Sequence, residues 1–126
     1  MIFFISGHLD TTHEEFQLHY VPLIQKAIIN GCSFVVGDAC GTDVMAQKFL
    51  SKSLVSVTIY HMFDLPRNNF GFKTIGGFQS DKERDEAMTK ASDGDIAWVR
   101  PGREKSGTAK NLRRRINNLK PIKNNY

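Results

Sequence analysis

Two glycines and two carboxylates lie close together in the first third of the chain, in residues 37–43, Gly-Asp-Ala-Cys-Gly-Thr-Asp. Gly37 and Gly41 let the backbone adopt conformations closed to other residues and approach a ligand closely. A helix that begins at Thr42 would turn its first backbone N–H groups toward an anion such as phosphate. Three roles are therefore open for this segment: a phosphate cradle, a catalytic loop, or a tight turn.

The two carboxylates of this segment are Asp38 and Asp43. Asp43 has two interpretations, since a carboxylate in the first turn of a helix stabilises the helix dipole and can also bind sugar hydroxyls. The segment is not a Walker loop, because GxxxxGK[ST] is absent, and GxGxxG is absent as well. Alone, the segment does not decide between the three roles.

A second junction of similar composition occurs late in the chain, where Lys105-Ser106-Gly107-Thr108 offers a basic residue, two hydroxyls and a glycine at a helix start. Ser106 could simply cap that helix. Alternatively, Ser106, Gly107 and Thr108 could hold a phosphate. Two such junctions at one edge of a sheet could bind one phosphorylated ligand between them.

Further candidate ligand contacts are Ser6-Gly7-His8 after the first apolar run, and Arg84, Asp85 and Met88 early in a helix. His8 could contact a phosphate or a base. Asp85 could instead complement the helix dipole, and Met88 could simply pack in the core. The four histidines and two cysteines show no metal-ligand spacing, so we expect no metal and no cofactor.

The periodicity of apolar residues predicts strands that alternate with helices. Such alternation predicts a single three-layer α/β domain with a parallel sheet of four to five strands. Because ligands bind at the carboxyl ends of parallel strands, the candidate residues should converge on one rim. The predicted strands span residues 2–6, 33–37, 55–60 and 95–99, and the predicted helices start at Thr12, Thr42, Ser80 and about Gly107.

Two details concern the segments between these elements. Thr12 and Glu15 match a capping box, and Pro22 should kink or restart the helix that follows it. Residues 61–79 form a long predicted loop, which in a compact domain is more often functional than idle. This loop could be a lid, with Arg67 reaching anions and its phenylalanines stacking on a base, or it could be a subunit contact.

Length, composition and charge limit the class of protein. The chain has 126 residues and 40% hydrophobic content, which fits one domain over residues 1–120 with a frayed basic tail at 121–126. No apolar run approaches the roughly 20 residues that span a bilayer. Two cysteines without metal spacing favour a reduced, cytoplasmic setting.

The basic residues are concentrated at one end of the chain. Residues 100–126 contain nine Lys or Arg and one Glu, a net charge of +8, so the rest carries −4 of the total +4. A basic end can bind nucleic acid or an anionic ligand, or it can be a solvated surface. Nucleic acid is the least favoured partner, since the consecutive arginines 113–115 cannot share one helix face and interleaved aromatics are missing.

Two stretches of the chain resemble a known group of proteins. VVGDACGTDVMA resembles the G-x-A-x-G-x-D-x-x-A loop of the SLOG superfamily, the Rossmann-like group that includes DprA, the LOG enzymes and YpsA-like proteins. RDEAMTKASDGDIAWVRPGREKSGTAKNL is similar to the nucleoside 2-deoxyribosyltransferase-like and deoxynucleoside 5′-monophosphate N-glycosidase proteins. The resemblance implies a Rossmann-like domain and a nucleotide or ADP-ribose-like ligand, and its relatives are commonly homo-oligomers.

The resemblance also implies roles for particular residues. Asp85 matches the carboxylate that holds a ribose hydroxyl in the transferases, and Asp93 matches a supporting carboxylate. The glycosyl-cleaving relatives carry a catalytic Glu three residues after Thr108, where this chain has Asn111. The phosphate or backbone contacts implied by the resemblance are Gly7, Gly37, Gly41, Thr42, Ser106, Gly107 and Thr108.

Three functions follow from these observations. The first is a sensor, carrier or sequestering protein that binds a nucleotide or ribose-phosphate ligand without turnover, because an amide at position 111 cannot be a nucleophile or general base. The second is an N-glycosidase or phosphoribohydrolase of nucleoside 5′-monophosphates, with Asp43 and Asp85 as candidate catalytic residues. The third is nucleic-acid binding through the basic end of the chain.

Overall fold

Five parallel strands lie at the centre of the molecule, in a computed structural model that describes residues 1–119. Their order across the sheet is β4-β3-β2-β1-β5, with helices on both faces. The predicted fold class, a three-layer Rossmann-like α/β domain, is therefore confirmed. The predicted tail at 121–126 lies outside the described residues. The strands are β1 Ile2–Ser6, β2 Ser33–Gly37, β3 Val57–Met62, β4 Lys73–Phe78 and β5 Gly94–Ala97.

Five helices of residues 1–119 cover the sheet. The predicted capping box is present, because the Thr12 Oγ1 accepts from the Glu15 N–H at 3.1 Å and a Glu15 carboxylate oxygen accepts from the Thr12 N–H at 2.9 Å. The predicted effect of Pro22 is also confirmed, since one helix ends at His19 and the next begins at Val21. The helices are α1 His13–His19, α2 Val21–Ile29, α3 Thr42–Leu50, α4 Asp81–Ala91 and α5 Gly107–Leu119.

The predicted loop at 61–79 was wrong at its start, where β3 continues to Met62, and in its second half, which contains the edge strand β4. This strand pairs in parallel with β3, where Ile59 lies beside Thr74 and Tyr60 beside Ile75. Five of its six residues are exposed and two are glycines, so it lacks the buried apolar pattern that identifies a central strand. The remaining segment, 63–72, connects β3 to β4 without a helix.

The hydrophobic core has two parts, one on each face of the sheet. The larger part lies beneath α1, α2 and α3, where Ile5 and Val36 pack with Ile24 and Leu50. The smaller part lies beneath α4, and its members are Phe4, Val35, Tyr60 and Met88. Because side chains alternate along a strand, Phe4 and Ser6 of β1 face the α4 side while Ile5 faces the other.

The order of the strands creates a crevice beside β1. The chain builds outward from β1 through β2 and β3 to β4, and then returns to place β5 on the opposite side of β1. Connections leave the carboxyl ends of β1 and β5 in opposite directions at such a switch point, and ligands of open α/β sheets bind there. Within the described residues no helix combines the length and apolarity needed to cross a membrane.

Candidate functional site

A cavity of about 510 Å³ opens at the carboxyl end of β1, between α4 and α5. Its volume lies within the range of small-molecule sites in proteins. It occupies the switch point of the sheet, on the side that Phe4 and Ser6 face. The residues that line it are Phe4, Ser6, Gly7, His8, Leu9, Asp10, Ala39, Asp43, Arg67, Asp81, Arg84, Asp85, Met88, Arg103, Ser106, Gly107, Thr108 and Asn111.

Strand β1 and helix α4 contribute two apolar side chains and one hydroxyl to the cavity wall. Phe4 and Met88 line it and are almost completely buried. Ser6 is also buried, and its Oγ has no hydrogen-bond partner among the described residues. Since a buried hydroxyl without a partner costs about 1 to 3 kcal/mol, Ser6 requires a specific explanation.

Asp43 lies in the first turn of α3 and is buried at the side of the cavity. Its Oδ2 accepts from the Ala39 N–H at 3.1 Å. Burial raises the pKa of Asp43 to about 7, although the nearby Arg84 charge acts in the opposite direction. The carboxyl and the Arg84 guanidinium pack against Gly37, where a Cβ would lie 2.6 Å from the Asp43 Oδ2.

Arg84, on α4, is a buried cation surrounded by carboxylates. Its Nη1 lies 2.9 Å from the Asp38 Oδ1 and 3.2 Å from the Asp81 Oδ1, and its Nη2 lies 2.9 Å from the Asp85 Oδ1. Arg67, from the segment between β3 and β4, also pairs with Asp38 and with Asp81. The positive charges on this side of the cavity are therefore already paired within the protein.

Asp38 does not line the cavity, because its carboxylate is occupied by these arginines. It receives hydrogen bonds from the Arg67 backbone N–H at 2.8 Å and from the Arg67 Nε at 3.1 Å. Burial acts to raise the pKa of Asp38, but the Arg67 bonds outweigh it and lower this pKa. Asp38 thus anchors the 63–72 segment to the end of β2.

Asp85 and Asn111 join α4 to α5 across the cavity. The Asn111 Nδ2 donates to the Asp85 Oδ2 at 3.1 Å, and the Asn111 Oδ1 accepts from the Arg114 Nη1 at 2.7 Å. Asn111 is 2% exposed, so both ends of its amide are held in fixed positions. A carboxylate at position 111 would lose the bond to Asp85 and place two negative charges side by side.

The start of α5 faces the cavity through Ser106, Gly107 and Thr108. The Ser106 Oγ accepts from the Ala109 N–H at 3.2 Å, so Ser106 caps the helix. The N–H groups of the first helical turn have no acceptor within the helix, and here they lie beside the cavity. Capping by Ser106 therefore engages only one N–H of this turn, that of Ala109, among the bonds that the described residues make.

The glycine-rich segment 37–43 is mainly a packing junction. Thr42 is completely buried; its hydroxyl lies 2.6 Å from the Thr11 hydroxyl, and its N–H donates to the His8 carbonyl at 3.2 Å. Gly41 has φ 72° and packs against the His8 and Leu9 carbonyls. The hydroxyl and the N–H of Thr42, two of the donors expected to cradle a phosphate here, are thus engaged within the protein.

His8 lines the cavity as a neutral imidazole. Its Nε2 accepts from the Arg100 backbone N–H at 2.9 Å, which leaves the ring proton on Nδ1. Burial, together with the charges of Arg100 and Arg103, lowers the pKa of His8. The bond from Arg100 ties the loop after β1 to the segment after β5 and fixes the ring.

The structure brings together ten of the candidate ligand-binding residues and separates five. The five that do not line the cavity are Gly37, Asp38, Gly41, Thr42 and Asp93. Asp93 lies at the amino end of β5, where its Oδ2 accepts from the Ile2 N–H at 2.8 Å. The ten lining residues are Ser6, Gly7, His8, Asp43, Arg84, Asp85, Met88, Ser106, Gly107 and Thr108.

Three charged lining residues were not predicted from the sequence: Asp10, Asp81 and Arg103. Asp10 binds Arg103 at 2.8 Å and Arg100 at 3.1 Å at the mouth of the cavity. Asp81 reaches the cavity only because β4 places the start of α4 beside β3. No sequence motif marks these residues, so the position of the elements was the missing information.

The basic end of the chain is partly used for structure. The Arg115 Nη2 pairs with the Asp95 Oδ1 at 3.1 Å, and its Nη1 donates to the Ser92 carbonyl at 2.8 Å. Arg114 bonds to Asn111 and to the Thr89 hydroxyl. Of the three consecutive arginines only Arg113 is exposed.

The stability of the protein should depend on the protonation of Asp43. Because its folded pKa of about 7 lies above the ordinary aspartate value of 3.8, the folded protein holds a proton at intermediate pH that the unfolded chain lacks. This contribution to stability is complete below pH 4 and is lost as the pH rises through 7. We expect Asp43→Asn to gain up to about 4 kcal/mol in unfolding free energy relative to wild type between pH 4 and pH 8.

Urea unfolding at several pH values measures this difference. Glu14→Gln, which changes an exposed carboxyl on α1, is the matched control and should show no such divergence. A constant difference between Asp43→Asn and wild type across the range would mean that Asp43 is ionised throughout.

Compared with models of protein families, with curated proteins and with solved structures, the chain matches none of them. The interpretation of the site therefore depends on its geometry and chemistry.

Proposed function

We propose that this protein binds a small ligand that contains ribose and phosphate, such as a nucleotide, in the cavity at the switch point and does not hydrolyse it. The observation that carries the proposal is the Ser6 hydroxyl, which is buried in the cavity wall and has no hydrogen-bond partner in residues 1–119. A ligand group that hydrogen-bonds to Ser6 would remove the cost of this buried hydroxyl.

The chemistry of the two cavity walls supports a ligand of this class. The start of α5, at Gly107 and Thr108, suits a phosphate because its dipole and its first N–H groups favour an anion. On the opposite wall, the carboxylate of Asp85 can accept hydrogen bonds from ribose hydroxyls. Phe4 and Met88 offer an apolar surface to the rest of the ligand.

The Asn111 amide supports binding without turnover. Its two ends are engaged by Asp85 and Arg114, so it bridges α4 and α5 where the glycosyl-cleaving proteins that the chain resembles carry a Glu. An amide is neither a nucleophile nor a general base under ordinary conditions. The protein would therefore act as a sensor, carrier or sequestering protein.

Isothermal titration calorimetry with single ligands tests this proposal. The panel contains adenosine, the four nucleoside 5′-monophosphates and their deoxy forms, ribose 5-phosphate, and ADP-ribose. We expect saturable binding with one site per chain for at least one phosphorylated riboside and an unchanged ligand after incubation. Absence of binding by every member at millimolar ligand would refute the proposal.

A second candidate function is N-glycosidic hydrolysis of nucleoside 5′-monophosphates, and the observation that favours it is the burial of Asp43, which raises the pKa of this carboxyl to about 7. Asp43 and Asp85 line the same cavity. In this reaction water attacks the anomeric carbon and loses a proton to Asp85, while the N-glycosidic bond breaks and Asp43 protonates the departing base. The products are free base and ribose 5-phosphate or its deoxy form.

Chromatography of a nucleotide mixture after incubation with the protein distinguishes the two candidates. Hydrolysis predicts free base that accumulates with time and disappears in Asp85→Asn. Absence of free base at high protein concentration, with binding intact, would exclude hydrolysis and leave binding alone.

Two further aspects belong to the proposal. A reduced, cytoplasmic setting fits the free cysteines, of which Cys40 is exposed and Cys32 is buried.

Nucleic-acid binding is less well supported than the small ligand, because Arg114 and Arg115 hold α5 against α4 and β5 rather than facing solvent together. A gel shift that weakens steeply with salt would argue for nucleic acid.

A further inference from the structure

The carboxyl group of Asp43 has one oxygen that the described residues do not use. Its Oδ2 accepts from the Ala39 N–H at 3.1 Å, whereas its Oδ1 makes no hydrogen bond and no ion pair among residues 1–119. Asp43 lines the cavity, and the residue is only 7% exposed. Oδ1 is therefore the oxygen of this buried carboxyl that remains for a ligand.

The cation nearest to Asp43 is engaged by other carboxylates. Arg84 pairs with Asp38 at 2.9 Å and with Asp85 at 2.9 Å, while Asp43 has no ion pair in the described part of the chain. A buried carboxyl with one N–H donor and no paired cation favours its neutral form, and burial raises the pKa of Asp43 to about 7. Because Oδ2 accepts from the Ala39 N–H, the proton belongs on Oδ1. Asp43 thus offers an O–H donor to the cavity.

This donor lies over the carboxyl end of β2, beside Ser6. Ser6 and Gly37 directly follow Ile5 and Val36, which are paired in the sheet, so they are neighbours at the ends of β1 and β2. A Cβ on Gly37 would lie 2.6 Å from the Asp43 Oδ2, so the carboxyl occupies the space of a side chain at that position. Asp43 and Ser6 therefore lie side by side on the face of the sheet that α4 covers.

The start of α5, which suits a phosphate, lies at the other side of the cavity. Helix α5 packs against α4 and β5, and β5 lies on the side of β1 opposite to β2. Two strand spacings, roughly 10 Å, therefore separate β5 from β2. A phosphate at Gly107 and Thr108 directs the far end of a nucleotide, its base, toward Ser6 and Asp43.

On the basis of the function proposed above, we propose that the carboxylic acid of Asp43 donates a hydrogen bond from Oδ1 to the base of a bound nucleotide. The acceptor on the base is a ring nitrogen or a carbonyl oxygen. In adenine, for example, the N7 acceptor stands beside the N6 amino donor, and the neighbouring Ser6 Oγ can accept from such a donor. Asp43 and Ser6 thus form the base subsite, and the start of α5 forms the phosphate subsite.

A donor that can lose its proton makes nucleotide binding depend on pH. With a pKa of about 7 for Asp43, the fraction of the free protein that holds this proton falls from about 0.9 at pH 6 to about 0.1 at pH 8. Because only the protonated form can donate to the base, the affinity of the wild type should fall about tenfold over this range.

The variant Asp43→Asn keeps the other charged and titratable groups of the site in place. Its amide matches the protonated carboxyl, because the amide oxygen can accept from the Ala39 N–H while Nδ2 donates to the base. The groups that face Asp43 are Asp38 after β2, Arg84 and Asp85 on α4, and Tyr20, whose pKa burial raises to about 12, and the other charged or titratable residues of the cavity are His8, Asp10, Arg67, Asp81 and Arg103.

Calorimetric titration of wild type, Asp43→Asn and Asp43→Ala at pH 6 and pH 8 tests the proposal. The probes are the four nucleoside 5′-monophosphates, with ribose 5-phosphate as the matched ligand without a base. For the nucleotide that binds most tightly, we expect equal affinity of wild type and Asp43→Asn at pH 6, and about tenfold tighter binding by Asp43→Asn at pH 8. Asp43→Ala should bind this nucleotide about tenfold more weakly than wild type at pH 6. Ribose 5-phosphate should bind to all three proteins alike.

The phosphate of the ligand also titrates, near pH 6. Its contribution cancels, because each variant is compared with wild type at the same pH. The comparison of wild type with Asp43→Asn decides the question even if Asp43→Ala fails to fold.

Three results would overturn the proposal and leave ligand binding in the cavity intact. The first is equal nucleotide affinity of wild type and Asp43→Asn at both pH values. The second is a loss of affinity in Asp43→Asn at pH 6, which would make Asp43 an acceptor. The third is the same change for ribose 5-phosphate as for the nucleotide, which would place the ribose or the phosphate at Asp43. Absence of binding by every nucleotide would instead refute the proposed function itself.

Discussion

Replacing Arg84 with methionine is expected to lower the free energy of unfolding by about 3 to 5 kcal/mol at neutral pH. Arg84 is the buried cation that pairs with Asp38, Asp81 and Asp85, and its side chain is only 7% exposed. Without it, the buried Asp38 and Asp85 carboxylates lose a cationic partner and repel each other. Methionine keeps much of the volume of the arginine side chain, so the loss of unfolding free energy is due mainly to the removed charge.

The pH dependence of the Arg84→Met variant provides an internal check. Carboxylates deprived of a cation bind protons more readily, so the loss should shrink as the pH falls toward 5. Arg113→Met is the matched control, because Arg113 is exposed and its one hydrogen bond within the described part of the chain goes to the Glu104 carbonyl at 3.0 Å. A loss of less than 1 kcal/mol at neutral pH, equal to that of the control, would contradict the role given to Arg84.

Gly41→Ala is expected to have an effect of similar size, a loss of at least about 3 kcal/mol in unfolding free energy. Gly41 has φ 72° and ψ −125°, a backbone conformation that residues with a Cβ rarely adopt. The added methyl group would also collide with the carbonyl oxygens of His8 and Leu9, which are backbone atoms and cannot rotate away. Chemical denaturation of the variant measures the loss.

A second variant, Gly31→Ala, separates the cost of the positive φ from the cost of the steric collision. Gly31 has φ 74°, but an added Cβ meets nothing within 4 Å. We expect this control to lose only about 1 to 2 kcal/mol, the cost of a positive φ alone. If both variants lost the same amount, the contact between Gly41 and the loop after β1 would not be a constraint on the fold.

The sequence was most informative where local and tertiary signals agree. The capping box at Thr12 and the break at Pro22 are local signals that the fold retains. The central strands are buried on both faces, so their apolar runs could be recognised. Strand β4 escaped prediction because edge exposure and the pair Gly76-Gly77 give it no apolar pattern, and its strand character depends on pairing with β3.

The sequence predicted where the candidate site lies, but not which contacts its residues make. Parallel strands bring their carboxyl ends together, so Ser6, Asp43, Asp85 and Ser106 converge as expected. What the sequence could not reveal was which polar groups the protein uses for itself. Thr42 has donors suited to phosphate, but its hydroxyl and its N–H are engaged by Thr11 and His8.

The role of Asn111 was likewise not visible in the sequence. From the sequence it was only a departure from the glycosyl-cleaving pattern. In the fold it is a bridge, because its amide can donate to Asp85 and accept from Arg114 at once, which a carboxylate cannot do. The role of the residue at this candidate catalytic position therefore became clear only from its contacts, which the packing of α4 against α5 creates.

The central claim, that the cavity at the switch point binds a ligand, is tested most directly by Ser6→Ala. If the Ser6 hydroxyl forms a hydrogen bond only when a ligand is bound, its removal should raise the unfolding free energy of the free protein by about 1 kcal/mol. The same substitution should weaken the binding of the best ligand of the calorimetric panel by about tenfold. Ser92→Ala is the matched control, because the Ser92 Oγ donates to the Met88 carbonyl at 2.6 Å.

The control should lose stability and keep the wild-type affinity. The decisive measurement is therefore the pair of changes in Ser6→Ala, obtained by urea unfolding without ligand and by calorimetric titration with it. Higher stability together with weaker binding is the result that we predict. Lower stability with unchanged affinity would assign Ser6 to the structure and contradict a ligand site in this cavity.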